Sequence, residues 1–295
     1  MIKEDSTWYL FDTSFGLVGK TSNDGLAWTN MPSPLLPEKL SWWETEVPGQ
    51  YEQLETGIPD IWGPDLFTFE GRSWMYYAIS EFGTTNSAIG LLSADSFELL
   101  AAGNWQDEGP VLTSDQDSAF NAIDPNFIVD AEDVAWMTFG SGEDGIFIVQ
   151  LDTSVPESDT FLKPTGGQFN LAVNDDGIEG ATIVYRNGFY YLFGAVGICC
   201  DGVESTYRIV YGRSTAITGP YVDQQGTDMT VGGGTILEDG DSRWVGPGGQ
   251  DIAKIDGVDV IVFHTYDADS DGDPTLQIAT LLWDTDNWPY LGEPQ

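Results

Sequence analysis

Ten short apolar runs, arranged as five pairs, constrain this chain more than any other feature. The first member of each pair is aromatic: WYLF (8–11), WMYYAI (74–79), VAWMTFG (134–140), FYYLFGA (189–195) and VDVIVFHTY (258–266). The second member follows after a turn or loop: GLVGKTS (16–22), SAIGLLS (87–93), GIFIVQL (145–151), YRIVYGRS (207–214) and LQIATLLW (276–283). The runs are short and bounded by Gly, Asp and Pro, which is a strand signature; helical periodicity is scarce. Tails recur too, with DGLAWT (24–29), GNWQD (103–107), ITGPY (217–221) and DNWP (286–289) each following a second strand closely.

Five copies of a small antiparallel sheet predict an all-β fold, a five-bladed β-propeller, occupying residues 1–295 as a single domain. One such sheet alone is marginal, whereas stacked blades bury each other's faces. A sandwich would show fewer, more evenly spaced strands. The alternative is an irregular all-β protein. The neighbouring tyrosine pairs Tyr76–Tyr77 and Tyr190–Tyr191 are expected in the core, since adjacent strand residues point to opposite faces.

In a propeller, the polar residues just before an aromatic strand pair are candidates for the substrate funnel. Three stretches lie there: IWGPDLFTF (61–69), FNAIDPNFIV (120–129) and DGIEGATIVY (176–185). Each sets one acid among apolar residues, and matching positions on successive blades would turn Asp65, Asp124 and Glu179 toward a common axis. Nearby aromatics suggest a sugar cleft, because sugar rings lie on aromatic faces while their hydroxyls bond to a polar rim. Trp62 and Phe120 are the candidates, and blade packing remains an equal reading for Trp62. Glycoside hydrolysis needs two carboxyl groups about the scissile bond, one of them held protonated. Glu179, between glycines and Ile178, suits the proton donor, because poor solvation raises a carboxyl pKa; Asp124 suits the acid that raises that pKa further and orients the donor.

Charge narrows the partners. With 48 Asp plus Glu against 10 Lys plus Arg, the formal net charge is −38. Such a surface repels nucleic acid and anionic membranes, and it repels itself at low salt. Strong acid excess is expected of a protein working in concentrated salt, where the Debye length shrinks to about 3 Å at 1 M. A monomer is expected. No stretch approaches the roughly 18 apolar residues of a membrane span, and no signal peptide is visible. Cys199 and Cys200 are the only cysteines; neighbours are too close for an ordinary disulfide, whose Cα atoms sit about 4.4–6.8 Å apart. With a single histidine, a Cys/His zinc site is implausible.

Several stretches resemble the arabinanases of glycoside hydrolase family 43. WGPDLFTFEGRSWMYYAIS (62–80), TNSAIGLLS (85–93), NAIDP (121–125), GICCDGVESTYRIVYGRSTAITGPY (197–221), GGGTILE (232–238) and PTLQIATLLWDTDNWP (274–289) carry the resemblance, which covers nearly the whole chain. It implies a five-bladed propeller that cleaves α-1,5-L-arabinan with inversion. It further implies Glu179 as general acid, Asp124 as pKa modulator and orienter, and a sugar site including Trp62, Asp65, Phe120, Asn121, Ser205 and His264. Arabinan is a cell-wall polymer too large to import, so an extracellular location is expected.

The chain departs from the family twice. The general base of the family is an Asp in a His-Asp-Pro motif shortly before the first aromatic strand; here that strand is preceded by Met1-Ile2-Lys3-Glu4-Asp5. The motif is therefore expected upstream of Met1, in a few residues that complete the first blade, and Asp5, placed in a turn, is a poor substitute. The family also carries Gly-Pro-Gly-His-Asn, whose histidine faces an ion or water cluster, where this chain has Gly249 and Gln250. No cofactor is expected to be required; a structural calcium or sodium ion would be held by carboxylates, carbonyls and water. Three alternatives stay open: an exo-acting arabinofuranosidase, a β-xylosidase, or a sugar-binding propeller impaired by the missing base.

Overall fold

The computed structural model describes residues 1–50, 52, 55–156, 158–255 and 257–292. Five antiparallel sheets follow one another along the chain, the five blades of a β-propeller. Blade one contains Ile2–Glu4, Thr7–Leu10, Lys20–Ser22 and Thr29–Asn30. Blade two contains Asp60–Phe69, Arg72–Ser80, Ser87–Ala94 and Gln106–Ser114, with the short strand Ser14–Phe15 paired to its first strand. Blade three contains Asn126–Val129, Ala135–Phe139, Ile146–Gln150 and Phe169–Ala172. Blade four contains Ile178–Arg186, Phe189–Val196, Arg208–Ser214 and Thr235–Glu238. Blade five contains Trp244–Ile255, Val258–Asp267, Asp273–Trp283 and Pro289–Leu291. The ten apolar runs of the sequence are the second and third strands of these blades. Among the described residues, no helix is long and apolar enough to cross a membrane.

The chain divides into two compact units, Met1–Phe127 with Leu151–Thr165, and Ile128–Gln150 with Gly166–Gln295. The first unit packs Leu17, Trp43, Ile61, Met75 and Tyr77 into its core. Trp43 Nε1 donates to the Tyr77 hydroxyl at 3.2 Å, so the buried polar ends of both rings are satisfied. Tyr76 is fully buried and donates to the Leu162 carbonyl at 2.7 Å, which ties the 151–165 loop to blade two. In the second unit, Tyr190 and Tyr191 are also buried, as the strand pattern predicts.

The first strands of blades two, four and five are bulged. Trp62 pairs with Ala78, but Asp65 pairs with Tyr76. Glu179 pairs with Ala195, but Thr182 pairs with Phe193. The last blade slips twice, between Val245 and Gly248 and again between Gly248 and Asp251. A glycine with positive φ lies in each slip: Gly63 (+47°), Gly180 (+62°), Gly246 (+62°) and Gly249 (+60°). An extra residue there bends the strand and re-aims the side chains beside it.

This register corrects one expectation. Asp65 and Glu179 do not occupy matching positions on their blades. Glu179 precedes its bulge, as Trp62 precedes the bulge of blade two; Asp65 follows its bulge, as Thr182 does. Acid count and strand order alone cannot reveal such a slip, since one inserted residue reverses which face a side chain takes.

Candidate active site

In the second unit, Glu179 stands near the start of strand Ile178–Arg186 and is half-buried. It lines a cavity of about 550 Å³ together with Gly142, Asp175, Asp176, Ile198, Thr206 and Arg208. That volume falls in the usual range for a small-molecule site. Ile178, beside it, is 1% exposed and supplies the dry flank expected from the sequence. Burial pushes the Glu179 carboxyl above its ordinary pKa, because a poorly solvated carboxylate disfavours its charge. The Ser141 hydroxyl donates to Glu179 Oε2 at 2.5 Å and pulls the pKa partly back. Burial wins, so the carboxyl holds its proton to higher pH than a surface glutamate does.

The loop after strand Phe189–Val196 supplies Gly197, Ile198 and Thr206 to the lining, and blade five contacts that loop. Ser205 is buried; its hydroxyl donates to the Ile198 carbonyl at 2.8 Å and accepts from the Tyr207 amide at 3.3 Å. Tyr266 is buried, and its hydroxyl accepts from the Cys200 amide at 2.9 Å. Burial raises the Tyr266 pKa, and the negative charges of Asp201 and Glu179 raise it further, so Tyr266 stands within electrostatic reach of the acid. The half-buried His264 ring lies 5.2 Å from Tyr266 and 6.1 Å from Tyr207. Ser205 packs so closely on Gly246 that a Cβ there would meet its Oγ at 2.3 Å. Arg208 and Asp176 approach to 3.5 Å across the mouth, both well exposed, so the pair contributes little to stability.

Cys199 and Cys200 are bonded to each other, with Cα atoms 3.8 Å apart. The separation is below that of an ordinary bridge, as adjacency requires, yet the bond is made; the sequence spacing alone pointed away from it.

In the first unit, Trp62 is half-buried and its Nε1 donates to Asp60 Oδ2 at 2.7 Å. Its ring meets Phe82 edge-on at 6.1 Å, and Phe82 is 78% exposed. The edge-on contact leaves the Phe82 ring open to solvent. Asp124 is half-buried with a φ of +53°, and a Cβ on Gly63 would come within 2.7 Å of its Oδ1. Only glycine permits that approach. Asp65 is 9% exposed and accepts from the Phe127 amide at 2.7 Å and Asn126 Nδ2 at 3.3 Å, which pins the segment just after Asp124. Asn121 accepts from the buried Ser87 hydroxyl at 2.7 Å, and Phe120 beside it is half-buried. Asp5, with a φ of +52°, sits in the hairpin turn between Ile2–Glu4 and Thr7–Leu10.

The first unit thus gathers Trp62, Asp65, Phe120, Asn121 and Asp124, and the second gathers Glu179, Ser205 and His264. Ser141, Phe82, Tyr266 and Arg208 escaped the reading of the sequence. Phe82 follows a recognised strand by two residues, but Ser141 is 38 residues from its partner and carries no motif. Among the described residues, no three His, Cys, Asp or Glu side chains converge as a metal site. Gln250 contributes one buried oxygen, Oε1, without a protein partner, and one carboxamide oxygen does not make a cation cage.

The family model for glycosyl hydrolases family 43 matches residues 1–289. The extracellular endo-α-(1→5)-L-arabinanase 1 of Bacillus subtilis (strain 168) is 43% identical over 296 residues, spanning 98% of this chain and 85% of that protein. The extracellular exo-α-(1→5)-L-arabinofuranosidase of Cellvibrio japonicus (strain Ueda107) is 33% identical over 305 residues, spanning 100% of this chain and 86% of that protein. The solved endo-arabinanase of Bacillus licheniformis superposes with a TM-score of 0.88 at 42% identity, covering 98% of this chain and 94% of that one.

Proposed function

The chain belongs to glycosyl hydrolases family 43, and from that premise we propose that it hydrolyses internal α-1,5-L-arabinofuranosyl linkages of arabinan with inversion. The observation that carries this reading is the half-buried Glu179, whose pKa burial raises, on the wall of a sugar-sized cavity. Glu179 gives its proton to the departing glycosidic oxygen, and Asp124 orients it. A second carboxylate, on the far side of the sugar and about 6.5–9.5 Å from the acid, activates water in an inverting site; no residue of this chain is assigned to that role. Trp62, with Phe82, offers a face for a sugar ring, and Phe120, Asn121, Asp65, Ser205 and His264 are the other candidate sugar-binding residues. Asp65 and Ser205 act mainly through the backbone they hold, because their side chains are already engaged. The reaction requires no cofactor, and no step passes through a cation.

The extracellular naming of the two relatives supports a location outside the cell. The charge of −38 supports a monomer adapted to concentrated salt. Melting curves should show stabilisation from about 0.1 M to above 1 M NaCl, where screening is nearly complete; a flat curve would sink the salt reading.

The deciding experiment follows reducing ends and product sizes on debranched linear arabinan at high salt, for the 295-residue chain and for a form extended upstream. Short arabino-oligomers establish endo action. Arabinose alone would establish an exo enzyme like the Cellvibrio relative. A folded protein that binds arabino-oligosaccharides but cuts neither arabinan, xylan nor aryl glycosides in either form would be a sugar-binding propeller.

A further inference from the structure

The bulge just after Glu179 faces a second bulge, on the first strand of blade five. Gly180 approaches so near that a Cβ on it would lie 3.9 Å from the Gly249 Cα. Both glycines have positive φ, +62° and +60°. The residue after Gly249 is Gln250, which is 4% exposed. Its Nε2 donates to the Gly180 carbonyl, the residue directly after the acid. Its own backbone carbonyl accepts from Thr182 Oγ1 at 2.9 Å. One residue thus grips the bulge at both ends, at Gly180 and Thr182, with the buried Ala181 between them.

A bulge needs such help. Its extra residue leaves the regular ladder, so its backbone groups must find other partners. A carbonyl can be satisfied only by a donor, which fixes which end of the Gln250 carboxamide points at Gly180. Glu179 lies one residue before this grip, where a small change in strand direction swings the carboxyl.

We propose that Gln250 is a positioning residue for the proton donor, holding the bulge that aims Glu179 into the cavity. The proposal rests on the reading of Glu179 as general acid.

Two variants test it. Q250M keeps the length and removes the donor. Q250E keeps the shape and sets an acceptor against the Gly180 carbonyl. The first readout is the Glu179 titration by ¹³C-carboxyl NMR, its resonance identified by its loss in E179Q. This readout needs no turnover. Asp175, Asp176 and Arg208 line the same cavity and Tyr266 stands beside it, with Ser141 bonded to the carboxyl; neither substitution alters any of them. The second readout is the separation of kcat from KM on linear arabinan.

In Q250M the Glu179 pKa should fall toward the ordinary carboxylate value as water gains access. The kcat should drop by about 100-fold, the scale of an ångström-sized misplacement, with KM within about twofold. Q250E should lose more; if it does not fold, Q250M decides. A merely structural role would lower Tm while leaving kcat and the Glu179 titration as in wild type, and that result overturns the proposal. If wild-type Glu179 itself titrates at an ordinary carboxylate value, or E179Q keeps full activity, the general-acid reading fails first, and the Gln250 proposal with it.

Discussion

Blades two and four use one backbone device for two purposes. Each opens with a bulge around a positive-φ glycine, Gly63 or Gly180. The residue before the bulge is half-buried: Trp62 in one, Glu179 in the other. The residue after it is buried and bonds to the first strand of the following blade. Asp65 accepts from Phe127 and Asn126, while Thr182 donates to Gln250. Blade two holds its neighbour with a charge and blade four with a neutral hydroxyl. The neutral hydroxyl adds no charge beside Glu179, whereas a carboxylate there would raise its pKa further, in the same direction as burial.

The largest expected effect breaks the comparison at its functional end. E179Q should lower kcat on arabinan by about 10²–10⁴-fold or more, the contribution of general acid catalysis, while binding of arabino-oligosaccharides, followed by calorimetry, persists. Trp62→Ala should show the reverse balance, raising KM more than it lowers kcat. The sign for stability follows from the raised pKa. A carboxyl whose folded pKa lies above its unfolded value contributes stability at low pH, and that contribution is lost as pH rises through the folded pKa. E179Q should therefore melt higher than wild type at neutral pH and not at acid pH.

The two glycines come next. G180A meets only a Cα at 3.9 Å, so it should cost the strain of a positive φ, about 1–2 kcal/mol. G63A meets the same strain and in addition the Asp124 carboxylate at 2.7 Å; overpacking adds about 1–3 kcal/mol. Chemical denaturation of both variants checks the order, and equal losses would show that Asp124 moves freely away from Gly63.

Smaller still is the contrast between the two grips. D65A should cost about 1–3 kcal/mol, leaving the Phe127 amide without its charged acceptor, and T182V nearer 1 kcal/mol. S141A should have the least effect on stability. Removing a hydrogen bond to the carboxylate raises the Glu179 pKa further, so the alkaline limb of the pH–rate profile should move to higher pH. A shift toward acid would mean that Ser141 donates to the protonated form.

The architecture was legible because its signal is local. Short apolar runs of strand length, recurring as five pairs, mark the second and third strands of every blade, and Tyr76, Tyr77, Tyr190 and Tyr191 fall in the core as expected of strand neighbours. The surroundings of Glu179 were legible for a similar reason, since its immediate neighbours supply a glycine hinge and an apolar flank. What the chain could not disclose is everything that depends on register or on distant partners. A single inserted residue moved Asp65 out of correspondence with Glu179. Ser141 and Gln250 reach the acid's strand from 38 and 70 residues away, and Phe82 meets the Trp62 ring only through the fold. A periodic pattern specifies which faces are apolar; it is silent on which buried carbonyl or carboxylate each polar side chain must satisfy, and that was decided only when the blades packed.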